Sequence, residues 1–313
     1  MKSTIVAVQL AVLISGSAVL LAAEAPPAEV KLPENLPLDL KLKAMQFKKQ
    51  QASVREFMQA GKYDEAEKVL RSLIEDFKVF FGPANALLPD CQGALGTCLR
   101  ALGRPAEAEP EFRAAWEGQV KYAGADKPEA LRMHNALAET LREERKFEES
   151  EKETRAVVQE MTKVYGAEHP ATLLNRTNLA VVLGDEKRYD EAEKELQDVI
   201  QIEMRVLGVD KQPTLMARGA LAITLREGGK LAESEKEFRA VLLFMDLNPG
   251  EDHPDTLTFR YHFALCLALE KKYAEAKKEA EQGLAKAKNK LGDDHPNTKE
   301  LQQLVKNLEQ VPK

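Results

Sequence analysis

The chain has 313 residues and is 44% hydrophobic, which is enough to bury a sizeable core and excludes wholesale disorder. Alanine (41), leucine (41), glutamate (37) and the 45 lysines and arginines make up just over half of it, while aromatics are 6%, a composition of long helices. A formal charge of −6 with pI near 5.6 excludes a nucleic-acid binder, whose phosphate contacts need surplus Lys and Arg, and three cysteines exclude a disulfide scaffold.

Met1 and Lys2 precede an uncharged, mostly apolar run from Ile5 to Ala23, and Glu24-Ala25-Pro26-Pro27 follows. A basic start, an apolar middle and a small-residue end predict a secretory signal peptide over residues 1–25, cut after Ala23 or Ala25. Two alternatives stay open: an uncleaved anchor, because about 19 apolar residues nearly span a bilayer, and an apolar stretch without such a role. Residues 26–39 carry Pro26, Pro27, Pro33 and Pro37 among charged and small residues and read as an extended, proline-rich linker.

From residue 40 to 313 the sequence repeats every 42 residues, in frames starting at 61, 103, 145, 187, 229 and 271. One column holds Gly82, Gly124, Gly166, Gly208, Gly250 and Gly292; another holds Glu65, Glu107, Glu149, Glu191, Glu233 and Glu275; a third holds Leu99, Leu141, Leu183, Leu225 and Leu267. Each unit predicts two antiparallel helices. In the unit from Lys187 to Gly228, Asp190, Glu191 and Glu193 put negative charge in a helix's first turn, where the macrodipole favours it. Ala192, Leu196, Val199, Ile200 and Val206 continue as one apolar stripe. Gly208 suits a left-handed helix end, and Pro213 suits the first turn of the next helix, which carries Leu221, Ala222 and Leu225. Leu40 to Gln59 predicts the first helix of the first pair. Asn297 to Gln310 predicts a solitary last helix, with Lys299, Glu300, Gln302, Gln303 and Lys306 as a polar outer face.

Gly61-Lys62-Tyr63-Asp64-Glu65-Ala66-Glu67, Lys187-Arg188-Tyr189-Asp190-Glu191-Ala192-Glu193, Asn178-Leu179-Ala180, Leu207-Gly208 and Gly250-Glu251-Asp252-His253-Pro254-Asp255-Thr256-Leu257 together resemble the tetratricopeptide repeat, in the longer form found in kinesin light chains and related bacterial proteins. The resemblance implies an all-α, right-handed α-solenoid of about six helix pairs with a C-terminal capping helix. It also implies an inner groove, lined by the first helix of each pair, that takes extended peptides or partner helices. Carried over column by column, the groove residues are Arg55, Arg100, Arg132, Asn135 and Arg142 in the N-terminal half, Leu174, Val181, Met216 and Ile223 in the middle, and Arg226, Tyr261 and Leu265 beyond. Glu139, Glu143, Asp185 and Glu227 partly offset the arginines. One departure from kinesin light chains is that asparagine precedes the Leu-Ala pair only at Asn178, against Ala136, Ala220 and His262, so a repeated asparagine clamp is not expected.

The remaining candidates read as structure. His169, His253 and His295 each precede a proline in equivalent places of different repeats, too far apart for one metal ion, and read as helix caps. His134 and His262 stand singly. Cys91 and Cys98 lie seven residues apart on one predicted helix, about 10 Å and beyond disulfide reach, and Cys266 shares the column of Cys98; small buried residues are the simplest reading. Asn175-Arg176-Thr177 is a glycosylation sequon that matters only in a glycosylating host. There is no phosphate loop, no zinc-protease motif and no nucleophile elbow. The sequence therefore predicts no enzyme, no metal, no cofactor and no small-molecule substrate. It predicts an exported, periplasmic or secreted scaffold that binds a protein or peptide in its groove, touching membrane only if the N-terminal segment is an uncleaved anchor. The alternative is a structural or self-associating spacer in an envelope assembly.

Overall fold

The computed structural model describes residues 38–310. The signal and most of the linker expected at the N-terminus fall outside these residues. Among the described residues the fold is all-α, with no strand and thirteen α-helices taken in consecutive pairs, in keeping with the solenoid-type architecture expected from the repeat. The chain divides into two compact units, up to Val164 and from Tyr165 onward.

The first unit contains α1 (Leu38–Gln59), α2 (Tyr63–Phe81), α3 (Leu88–Ala101), α4 (Pro105–Tyr122), α5 (Pro128–Glu143) and α6 (Phe147–Tyr165), whose last residue opens the second unit. Its core runs through Phe47, Leu70, Leu73, Phe77, Leu95, Leu99 and Phe112, all buried. Phe47 meets Phe77 edge-on with ring centres 4.9 Å apart, and Phe80 and Phe81 complete an aromatic cluster between α1 and α2. Close approach needs glycine at two points: a Cβ on Gly96 would stand 2.9 Å from the Phe112 ring, and one on Gly118 would stand 2.4 Å from Pro89.

The second unit contains α7 (Pro170–Asp185), α8 (Tyr189–Val206), α9 (Gln212–Glu227), α10 (Leu231–Met245), α11 (Pro254–Leu269), α12 (Tyr273–Leu291) and α13 (Pro296–Glu309), with a kinked segment at Asp246–Gly250 between α10 and α11, where Asn248 is extended. Within it each helix packs on the next, and the first helices of successive pairs also touch: α7 with α9, α9 with α11 and α11 with α13. Leu173, Leu196 and Val199 form one part of its core, and Phe238, Phe259, Phe263 and Leu267 another.

Repeated backbone chemistry sets the helix ends. Each first helix from α1 to α11 ends on a left-handed residue: Gly61, Gly103 and Gly229, but also Arg145, Lys187 and Lys271, at φ of 63–64° for the three that are not glycine. The amide that follows each of these bonds back to the last turn, as Lys62 does to the Phe57 carbonyl at 2.8 Å and Lys272 to the Leu267 carbonyl at 2.9 Å, the Schellman pattern that satisfies helix-end carbonyls. At the opposite end of the second helices, the glycine column from Gly82 to Gly292 takes φ between 85° and 121°. From Gly124 onward the N-cap of the next first helix lies three residues after the glycine. There His169, His253 and His295 are N-caps whose Nδ1 accepts from the amides of Ala171, Asp255 and Asn297, each at 3.2 Å.

The second helices are tied to one another along one edge. At four of these helix ends the cation that follows the left-handed residue reaches a glutamate of the preceding second helix: Arg104 to Glu67 at 2.7 Å, Lys146 to Glu109 at 2.5 Å, Lys230 to Glu193 at 2.6 Å and Lys272 to Glu235 at 2.5 Å.

Candidate peptide-binding face

In the first unit the proposed groove residues fall on three first helices, α1, α3 and α5. Arg55 on α1 is half-buried, while Arg132 and Arg142 on α5 are exposed. Arg100 on α3 is already engaged: its guanidinium meets Glu139 at 3.0 Å and Glu143 at 2.6 Å on α5. Asn135 donates to the same Glu139 at 2.8 Å. Arg100 is thus neutralised by carboxylates of the next repeat, whose sequence separations of 39 and 43 residues bracket the repeat length. Behind Arg132, burial pushes the Asp90 carboxyl up to about 6, an effect opposed by Arg132 and by a 2.7 Å bond from Gln119.

In the second unit the candidates are mostly apolar and lie on α7, α9 and α11. Leu174 on α7 is exposed and Val181 half-buried. Met216 and Ile223 on α9 and Tyr261 and Leu265 on α11 are half-buried, with part of each packed on the core of Phe238, Phe259 and Phe263. Beside them Arg226 contacts Glu227 at 3.0 Å and lies 3.0 Å from Nδ1 of His262. A guanidinium only donates, so Nδ1 accepts and the imidazole proton sits on Nε2. Burial, followed by the charge of Arg226, pushes the His262 pKa down to about 4, which keeps the ring neutral.

Two histidines that stand singly in the sequence therefore have partners in the fold. His262 accepts from Arg226. His134 is buried, stacked on Trp116 with ring centres 4.1 Å apart, with Nε2 2.9 Å from Glu153 and Nδ1 3.3 Å from Glu160. The repeat frame was the signal for it: His134 occupies the column of Arg176, Arg218 and Arg260, each of which pairs with the equivalent glutamate, Glu195 at 2.6 Å, Glu237 at 2.8 Å and Glu279 at 2.6 Å.

Cys91, Cys98 and Cys266 are free and buried, and burial pushes all three thiols up. Asn175 is buried, which removes its sequon from the surface. Among the described residues no group of three His, Cys, Asp or Glu could hold a metal ion, and no helix is long and apolar enough to cross a membrane. The arrangement offers hydrogen-bond donors and apolar half-sites on the first helices.

Three family models, each described as tetratricopeptide repeat, match residues 129–203 and 171–242, residues 52–119, and residues 256–297, together more than half of the chain. No curated protein has a matching sequence. Among solved structures, the nearly identical repeats of a Podosopora anserina putative kinesin light chain share 21% identity over 63% of this chain and 93% of theirs, with a TM-score of 0.53. A tetratricopeptide repeat protein from Parabacteroides merdae shares 16% identity over 85% of this chain and 99% of its own, with a TM-score of 0.54. A Rap protein complexed with Competence and Sporulation Factor shares 13% identity over 98% of this chain and 87% of its own, with a TM-score of 0.61. At these identities the structures show the fold alone. The repeat columns, the paired helices and the matched models together place the chain in the tetratricopeptide-repeat family, as a non-catalytic scaffold that binds protein partners.

Proposed function

We propose that the chain is an exported adaptor whose first helices hold a peptide segment in which acidic residues flank a bulky apolar anchor. The observation that carries this reading is the set Met216, Ile223, Tyr261 and Leu265. These four side chains stand on neighbouring first helices, with one side packed on the core and the rest open to solvent. Large apolar groups held half-buried on rigid helices lose little rotamer freedom when an anchor covers them. Beside this set, Arg226 is held between Glu227 and His262. In the first unit, taken by itself, Arg132 and Arg142 are exposed, whereas Arg100 is committed to Glu139 and Glu143. The Rap protein of the same fold was solved with Competence and Sporulation Factor bound, which supports a ligand of the protein or peptide class.

The test is affinity capture from the native extracytoplasmic fraction with the wild-type chain and with Arg132→Glu/Arg142→Glu. The variant is expected to lose its bound proteins while keeping helicity and thermal stability; an unchanged set of captured proteins overturns the placement. Export is tested by sequencing the N-terminus of the protein from its native cells. A start at Glu24 or Pro26 is expected, and a start at Met1 in a membrane fraction overturns cleavage.

A further inference from the structure

The outward face of α1 differs from that of every other first helix. It is 22 residues long, against 14–16 for α3, α5, α7, α9 and α11, and the extra turns lie at its N-terminal end. Its packing face carries Ala44, Phe47, Gln51 and Val54, all buried. The opposite face carries Leu38, Leu42 and Met45, exposed by 72%, 58% and 60%, and continues through Lys49, Ala52 and Glu56, also exposed. The spacing of four, three, four, three and four residues is that of a helix-pairing seam.

The repeat shows what this face receives elsewhere. Lys49 shares a column with Cys91, Met133, Asn175, Ala217 and Phe259, and Glu56 with Cys98, Thr140, Val182, Thr224 and Cys266, all ten of them buried. In α11 this column faces the preceding second helix, where Cys266 Sγ lies 3.4 Å from Ser234 Oγ and 3.5 Å from the Leu231 carbonyl. Among the described residues no second helix precedes α1.

We propose that this face of α1 docks an amphipathic helix of a partner protein, in the place that a preceding second helix takes in later repeats. The partner chemistry follows from the seam: apolar residues opposite Leu38, Leu42 and Met45, an acidic residue opposite Lys49 and a basic one opposite Glu56. A second copy fits poorly. In an antiparallel α1 pair centred on Leu42, Lys41 of each copy comes opposite Lys43 of the other, so like charges meet. The site is separate from the peptide-binding face and does not rest on it.

The probe is a synthetic amphipathic peptide of about 21 residues, long enough to lie along α1, with leucines in the seam, glutamate opposite Lys49 and lysine opposite Glu56. Binding to the full chain is read by fluorescence anisotropy, and cover over Met45 by its rate of peroxide oxidation. Binding that falls at least tenfold in Leu42→Glu, together with slowed oxidation of Met45 in the complex, supports the proposal. A charge-reversed peptide is expected to bind weakly to the wild type and to recover with Lys49→Glu/Glu56→Lys. Both variants alter exposed side chains, so unchanged circular dichroism separates lost binding from lost folding. Equal binding by Leu42→Glu overturns the proposal. So does slow oxidation of Met45 in the chain alone: concentration-independent protection assigns the face to residues 1–37, and protection that grows with concentration assigns it to a second copy. Leu42-dependent sedimentation with anionic vesicles, without peptide binding, also overturns it.

Discussion

The two units share one repeat and one backbone pattern but present different chemistry. In the first unit the first helices carry Arg55, Arg100, Arg132, Asn135, Glu139 and Arg142, and part of that charge is spent on ties between neighbouring helices. In the second the corresponding surface is Leu174, Val181, Met216, Ile223, Tyr261 and Leu265. Inside, one column differs as sharply: His134 in the first unit stands where Arg176, Arg218 and Arg260 stand in the second, and the glutamate partner is retained throughout. Helix ends, glycine columns and small packing residues dictate where the backbone goes. The side chains left over in each column are then free to decide what a face can bind.

That comparison is broken most directly at the cation column. Arg260, buried and paired with Asp246 and Glu279 at 2.6 Å each, holds two carboxylates at once. Arg260→Ala leaves both without their partner and is expected to cost about 3–4 kcal/mol in urea denaturation. His134→Ala frees Glu153 and Glu160 and removes the stack on Trp116, with an expected loss of about 2–3 kcal/mol. A loss under about 0.5 kcal/mol at His134 would show that the histidine does not take over the arginine's part.

A second test sharpens the contrast through pH. Glu203 on α8 sits in the column of Phe77, Gln119, Met161, Met245 and Ala287; its side chain is buried, Oε2 has no hydrogen-bond partner, and burial pushes its pKa from 4.5 to about 7. The folded chain therefore holds this proton more tightly than the unfolded chain does. The resulting stability is fully present below about pH 4.5, falls as the pH rises toward 7, and is gone above it. Glu203→Gln is expected to flatten that fall and to stabilise the protein on the order of 2 kcal/mol at pH 8, read from thermal melts across pH. Its analogue in the first unit, Gln119, already bonds to Asp90 and illustrates the neutral solution to the same burial.

The smallest effect is expected at the helix caps. His253→Ala removes the acceptor for the Asp255 amide and is expected to cost about 1 kcal/mol, whereas His253→Asn, which offers an oxygen at a similar reach, should stay near the wild type. Equal stability of the two variants in chemical denaturation would remove capping as the reason for histidine in that column.

Much of this molecule is legible by counting. The 42-residue period gives helix pairs, their order and their ends, because the signals involved are local: a left-handed glycine, a first-turn proline, an acidic start, an apolar stripe. Even the histidines before proline read as caps from position alone. The period also held the information that His134 replaces an arginine, although a histidine read one residue at a time shows no partner. What the tertiary structure alone decided is which charges are still available. Arg100 and Arg132 look alike in the sequence, yet one is tied to Glu139 and Glu143 across a helix interface and the other is exposed, because pairing depends on side-chain reach between helices. The same holds for Glu203 and for the face of α1. A residue's column fixes its direction on the helix, but burial depends on whether a neighbouring helix is there to cover it, and that is a property of the packed chain.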